Sequence, residues 1–128
     1  MTMAENKEYL VQEQETGSIL ISEEVIASIA ALAVREVEGV FGLSVTQTLD
    51  LSNILGKKNL RKGIRVVITD EGVEIACNLI VKMGCAVMTV AKAVQEAITE
   101  EVTSMTGTRP LRVNVNVCGV AVPKTAEK

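Results

Sequence analysis

The sequence predicts an α+β domain in which two helices pack on one face of a small mixed β-sheet. Two segments, 23–37 and 86–106, carry apolar residues at helical spacing. Several shorter segments instead alternate apolar and polar residues with the period of a β-strand. Because each helix and the sheet must bury one apolar face, a two-layer arrangement satisfies all of them. The predicted order of elements is β-α-β-β-β-α-β.

The first predicted helix begins directly after a short apolar strand over 17–21. Ser22 is placed to cap this helix, because a serine hydroxyl accepts a hydrogen bond from an unpaired amide at a helix start. Glu23 and Glu24 follow it, and carboxylates favour the positive end of a helix. Gly39 stands where many helices end in a left-handed residue.

The clearest strand prediction is a hairpin followed by a crossover. Residues 64–69 alternate in period two, 70–72 have the composition of a turn, and 73–82 form the returning strand. The second helix then ends at Gly107, and 111–118 alternate again. Since a helix connects the strands 73–82 and 111–118, these two strands are predicted to be parallel.

The chain is predicted to form one folded domain over 17–120. Residues 1–16 are charged and lack periodicity, so we expect a disordered N-terminal tail. A strand over 40–46 is predicted to lead into a flexible basic loop over 47–62. Residues 121–128 are expected to form a C-terminal tail.

The composition excludes several classes of protein. The chain has no histidine, which removes the commonest general base and the commonest metal ligand together. Tyr9 and Phe41 are its only aromatic residues, too few for a protein that stacks nucleic-acid bases. The net charge is −3, and five of the thirteen basic residues lie within 57–65. One basic island on an acidic chain is therefore the main electrostatic feature.

The acidic residues and cysteines do not form a recognisable catalytic or metal site. Glu23 and Glu24 are neighbours on a helix, so their side chains point about 100° apart and do not converge on one atom. Cys77, Cys85 and Cys118 lack the spacing of a zinc site. Cys85 is the thiol to test for reactivity because it lies at a helix start, and the alternative is that all three cysteines fill space. We expect no catalytic residue, no cofactor and no bound metal.

The basic island is a candidate surface for binding an anion or a protein partner. Its residues are Lys57, Lys58, Arg61, Lys62 and Arg65. Near an anionic membrane each such charge contributes about 1 kcal/mol, enough for weak recruitment. Phospholipid, nucleic acid, an acidic protein patch and the acidic N-terminal segment of a neighbouring subunit all fit this charge. A solvated loop without a partner fits it equally.

A second group of residues is a candidate protein interface. Leu32 and Arg35 lie away from the main apolar arc of the first helix. Arg112, Asn114 and Asn116 occupy the polar face of the last predicted strand, where no second core is expected. Residues such as Leu32 usually form the periphery of the core, and if several of them are exposed together they would form a self-association surface.

The chain shows no signal for export or for insertion into a membrane. Residues 1–14 are polar and acidic, unlike a signal peptide, and the apolar run 25–34 is about half of a membrane span. An odd number of cysteines also fits a reducing compartment. We therefore expect a cytoplasmic protein.

Three blocks of the sequence resemble the alkaline shock protein family of Gram-positive bacteria, which are small general-stress and envelope-associated proteins. The blocks are 17–42 (GSILISEEVIASIAALAVREVEGVFG), 72–84 (GVEIACNLIVKMG) and 105–119 (MTGTRPLRVNVNVCG). Members often have an aromatic residue where Met83 stands here. The resemblance implies a cytoplasmic, non-enzymatic protein that self-associates or binds partners. Some members sit at the inner membrane surface through a small membrane-anchored protein. No catalytic or ligand-binding residue is implied.

The sequence leaves three functional hypotheses open. The favoured one is a stress- or envelope-associated scaffold that forms homo-oligomers and binds a protein partner at the inner membrane surface. A nucleic-acid-binding module would use the basic segment 57–65, although the acidic balance of the chain disfavours it. A regulator linked to fatty-acid synthesis is implied by the gene context of other family members, and it would need an internal cavity.

Overall fold

The structure is a computed structural model that describes residues 9–44 and 63–122. Its elements, in chain order, are β1 (Tyr9–Gln14), β2 (Gly17–Ser22), α1 (Glu23–Arg35), β3 (Val40–Leu43), β4 (Ile64–Thr69), β5 (Gly72–Lys82), α2 (Val87–Thr106) and β6 (Arg112–Ala121). The predicted α+β class and the predicted order from β2 onward are confirmed. The structure adds strand β1 before them.

Strand β5 is the centre of the main sheet because it pairs with three other strands. β4 runs antiparallel to its first half, from Gly72 to Cys77, and β3 runs antiparallel to Leu79–Val81. β6 runs parallel to β5 along residues 74–82, as the crossover predicted, so it lies beside both the part that pairs with β4 and the part that pairs with β3. Because a strand has only two edges, β6 occupies one edge of β5, and β3 and β4 share the other.

The core lies between one face of this sheet and the two helices. Alternate side chains of β5 that face the helices are each at most 1% exposed: Val73, Ile75, Cys77, Leu79 and Val81. Helix α1 packs on β4 and β3, α2 packs on β6, and the two helices pack on each other. Both helices therefore cover the same face of the sheet, as predicted.

The helix ends follow from local sequence. The backbone amide of Val25 donates to the Ser22 hydroxyl at 3.3 Å, so the predicted N-cap of α1 is present. Helix α1 ends at Arg35, two residues earlier than predicted. Gly107 ends α2 with a φ of 80°, and its amide donates to the carbonyl of Thr103 at 2.9 Å.

The N-terminal segment differs from the prediction of a disordered tail. β1 pairs with β2 along its whole length, from Tyr9 opposite Ser22 to Gln14 opposite Gly17, so the prediction is wrong for 9–14. The Gln12 side chain also donates to the Thr106 carbonyl and the Thr108 hydroxyl, both at 2.8 Å. These bonds fix the hairpin to the end of α2. The predicted C-terminal tail over 121–128 begins too early, because β6 continues to Ala121. The remaining parts of the predicted tails, 1–8 and 123–128, and the predicted basic loop over 47–62 lie outside the described residues.

Gly39 lies in the turn between α1 and β3, where the backbone comes close to Val90 in the first turn of α2. Its φ is 96°, and a Cβ added there would lie 2.7 Å from the Val90 Cγ2. We expect Gly39→Ala to lower the free energy of unfolding by about 2–4 kcal/mol, since left-handed strain and overpacking add. Urea unfolding measures the change. Gly42→Ala is the control, because no atom lies within 4 Å of its added Cβ. A Gly39 variant as stable as the Gly42 variant would contradict the close approach.

Candidate interaction surfaces

The face of the sheet opposite the helices carries a polar surface that spans two strands. Arg112 Nη1 lies 3.0 Å from Glu74 Oε2, and the Asn116 side-chain amide donates to the Asn78 side-chain oxygen at 3.1 Å. Both pairs join β6 to β5 across the sheet. Because the Arg112–Glu74 pair is largely exposed, it contributes at most about 1 kcal/mol to stability. These side chains therefore remain available to a partner.

Arg65 belongs to the same surface. In the sheet register Arg65 lies opposite Ala76, and Ala76 lies opposite Asn114, so the three residues form one row across β4, β5 and β6. The structure thus brings Arg65 together with Arg112, Asn114 and Asn116. The other four predicted anion-binding residues, Lys57, Lys58, Arg61 and Lys62, lie outside the described residues.

Leu32 and Arg35 lie on a different surface. Both belong to α1, which packs on the face of the sheet opposite to Arg112, Asn114 and Asn116. The five residues predicted as one candidate interface therefore divide between two sides of the domain. Leu32 is 57% exposed, as its position off the core arc of α1 indicated.

A groove runs between the exposed sides of α1 and α2, and we call it the helix groove. One part has a volume of about 340 Å³ and is lined by Ile29, Leu32, Ala33, Glu36, Ala97, Glu100, Glu101 and Met105. A second part, of about 520 Å³, extends toward the start of α1 and is lined by Ser22, Glu24, Val25, Ala27, Ser28, Ile29, Leu32 and Met105. The two parts are adjacent, because they share the lining residues Ile29, Leu32 and Met105.

The sequence indicates Leu32 but not the rest of the helix groove. Met105 continues the helical spacing of the core residues Ile98 and Val102, and this spacing predicts that its side chain is buried. It is instead 63% exposed, because the buried side of α2 follows the series Val94, Ile98, Val102 and Thr106, which Met105 does not join. The neighbouring pair Glu100 and Glu101 is the available signal, because two adjacent acids mark their side of α2 as solvent-facing.

The outer edge of β6 is a third surface. Within residues 9–44 and 63–122, β6 pairs with β5 on one side and with no strand on the other. Proteins usually protect such an edge with lysine, proline or a short strand. β6 is ten residues long and contains no lysine or proline, and its one charged residue, Arg112, is paired with Glu74. A bulge at Cys118 and the bond from the Gln95 side chain to the Val113 carbonyl are the local interruptions.

The three cysteines lie in different environments. Cys77 is buried in the core, and this burial, with a smaller effect of Cys118, raises the pKa of its thiol from 9.0 to about 12. Cys85 is partly buried and packs against the core, with its sulfur next to Gly39. Cys118 is exposed. Among residues 9–44 and 63–122, no group of three or more His, Cys, Asp or Glu is arranged to hold a metal ion.

The described helices include none with the length and apolar character needed to cross a membrane. The architecture is that of a small α+β domain whose exposed surfaces are a helix groove, an open strand edge and a polar sheet face. The chain belongs to the alkaline shock protein 23 family, described by its cell envelope-related function, and the family model matches residues 11–122. The resemblance to alkaline shock proteins is thereby confirmed.

Relatives of similar length occur in Gram-positive bacteria. YqhY of Bacillus subtilis is 29% identical over 117 residues, covering 91% of this chain and 87% of its own. YloU of Bacillus subtilis is 36% identical over 108 residues, covering 83% of this chain and 90% of its own. Spy1614 of Streptococcus pyogenes is 29% identical over 108 residues, covering 83% of this chain and 89% of its own.

Solved structures of the MamM CTD show a more distant likeness. One variant, H264A-E289A-C267S, is 16% identical, with a TM-score of 0.47 over 79% of this chain and 95% of the other. A copper form, D249H, has the same TM-score at 15% identity and covers 79% of this chain and 98% of the other. Similarity at this level does not transfer a function.

The positions of the cysteines predict a difference in thiol reactivity. In native protein at pH 8 we expect a thiol reagent to modify Cys118 first, because its sulfur is exposed. Cys77 reacts only on unfolding, because its thiol is buried and stays protonated. Mass spectrometry of the modified peptides assigns each site, and Cys118→Ala should remove the fastest phase of thiol modification. Modification of Cys77 in the native state at the rate of Cys118 would contradict the described burial.

The raised pKa of Cys77 also predicts a dependence of stability on pH. The folded pKa is about 12, above the ordinary value of 9.0, so the protonated thiol favours the folded state. The contribution of the protonated Cys77 thiol to the free energy of unfolding is complete below pH 9 and is lost as the pH rises toward 12. We expect the unfolding free energy of the wild type to fall more steeply over this range than that of Cys77→Val. Parallel curves from urea unfolding at each pH would show that Cys77 ionises equally in both states.

Proposed function

We propose that this protein is a non-enzymatic scaffold of the bacterial cell envelope that self-associates and binds a protein partner. It acts in the cytoplasm and reaches the inner face of the membrane through a small membrane-anchored protein. The cell envelope-related function of the alkaline shock protein family supports the envelope part of this proposal. The open edge of β6 is the observation that carries the self-association.

The edge of β6 supports self-association because an unpaired strand is a template for another strand. Its backbone amides and carbonyls gain hydrogen bonds when a second chain adds to the sheet. The segment from Asn114 to Val117, between the Gln95 bond to Val113 and the bulge, contains no charged residue, and Arg112 beside it is paired with Glu74. Two copies related by a two-fold axis can therefore align this segment antiparallel without bringing unpaired like charges together.

A non-enzymatic role is supported by where the reactive groups lie. Cys77 is buried with its pKa raised to about 12, so its thiol is protonated at physiological pH and is a poor nucleophile. Glu23 and Glu24 occupy the first turn of α1, where they favour the positive helix end. Glu74, on the open sheet face, is paired with Arg112 rather than with a second acid or a nucleophile.

Adding charge to the β6 edge tests the self-association. We expect Asn114→Lys/Asn116→Lys to weaken homo-oligomer formation at least about tenfold in sedimentation equilibrium, because lysines oppose each other across an antiparallel pair. The matched control is Val67→Lys/Ala76→Lys, which adds the same charge to the same sheet face but on β4 and β5.

The two variants distinguish the ways in which the sheet could be used. Dissociation by the β6 variant alone supports pairing at the edge. Equal dissociation by both variants would instead show that the open sheet faces pack on each other. A wild type that stays monomeric at millimolar concentration would contradict the self-association itself. Circular dichroism of both variants checks that the fold is retained.

A further inference from the structure

We propose that the helix groove binds an amphipathic helix of a partner protein, with apolar anchors along one side and Lys or Arg residues flanking them. The inference deepens the proposed function by naming the chemistry of the partner, and it rests on partner binding rather than on self-association. Three features of the groove support it: its apolar surface, the carboxylates that line one part of it, and its dimensions.

Apolar side chains line the centre of the groove and remain open to solvent. Leu32 is 57% exposed and Met105 is 63% exposed, and they face the groove from α1 and α2. Val25, 48% exposed, extends the same surface toward the start of α1. Ala33 and Ala97 have short side chains, so they leave depth between the two helices. Covering these residues with an apolar partner would remove them from water.

The negative charge of the groove favours a basic partner. Glu36, Glu100 and Glu101 line one part of the groove, and no Lys or Arg is among the lining residues that the structure describes. Three carboxylates favour a basic partner segment and steer its approach. The same carboxylates repel the phosphates of nucleic acids and of anionic lipids. A basic protein segment therefore fits the groove better than a membrane surface does.

The shape of the groove selects a helix rather than an extended strand. Its walls are helices, whose backbone groups are bonded internally, so an extended peptide would find few backbone partners there. The groove runs beside all of α1, from Glu24 in its first turn to Glu36 after its last. Thirteen helical residues span about 20 Å, which matches three to four turns of an incoming helix.

A defined peptide tests the inference. The probe is a fluorescein-labelled helix of about 14 residues, with leucines at i, i+3, i+4 and i+7 and lysines elsewhere. Fluorescence anisotropy measures its Kd for the full chain. We expect Leu32→Glu to weaken binding at least about tenfold, and Glu100→Lys/Glu101→Lys to weaken it comparably and to reduce its dependence on salt.

Two matched variants control for nonspecific effects. Met88→Glu places the same charge on an equally exposed apolar residue of α2 outside the groove. Glu13→Lys/Glu71→Lys makes the same change in net charge away from the groove. Both should bind the peptide as the wild type does. Amide chemical-shift changes on titration should concentrate at the groove-lining residues of α1 and α2.

Other results would overturn the proposal. A peptide with the same composition but no apolar face should bind at least about tenfold more weakly, and equal binding would mean that charge alone is recognised. Tighter peptide binding after replacing Lys57, Lys58, Arg61 and Lys62 with Ala would assign the groove to that segment of the chain itself. Loss of self-association in Leu32→Glu would assign it to a second copy. Binding to phosphatidylglycerol vesicles that is lost in Leu32→Glu would assign it to lipid.

The groove and the β6 edge can fail independently. Sedimentation of Leu32→Glu without peptide should match the wild type, and peptide binding by Asn114→Lys/Asn116→Lys should also match it. If the peptide binds but self-association is absent, the groove proposal stands and the self-association does not. If self-association is present and the peptide does not bind, the self-association stands and the groove proposal does not.

Discussion

The fold depends on β5, whose helix-facing side chains must all be removed from water. Five alternate residues of this strand are almost completely buried, and the strand bonds to β3 and β4 on one edge and to β6 on the other. Helices α1 and α2 are required because this apolar face cannot remain open to solvent. The opposite face needs no cover, since it carries Glu74, Asn78 and the polar residues of β6. Every exposed surface of the domain is set by this asymmetry.

The parts of the fold that sequence predicts well are those in which periodicity and burial agree. β4 and β5 alternate strictly, and each apolar residue on the helix-facing side is buried. Strand β1 escapes prediction because its segment, YLVQEQ, places only Leu10 and the polar Gln12 on the side that faces the domain, too short a pattern to indicate a strand. Its stability comes from pairing with β2 and from the bonds of Gln12 to the end of α2. These are long-range contacts, which local pattern does not show.

The candidate surfaces are predictable only in part, and for a physical reason. Exposure of Leu32 follows from its angle on α1, which helical spacing gives directly. The groove beside it depends on how α1 and α2 pack on each other, and this packing is not a local property of the sequence. Similarly, alternation identifies β6 as a strand but does not show that one of its edges lacks a neighbour among the described strands. Side-chain direction can be read from sequence, whereas the neighbour of a strand or helix cannot.

The placement of both helices on one side of the sheet has a consequence for assembly. When two copies pair antiparallel through β6, their sheets become continuous and both helix layers stay on the same side. The two helix grooves, which we propose as binding clefts, then point in one direction, a fixed distance apart. Attachment of one cleft to a surface that displays many ligands gives the second an effective local concentration in the millimolar range, and avidity gains of about 10²–10⁴ are typical of such bivalency. Weak individual contacts are thereby converted into lasting retention without enlarging either cleft.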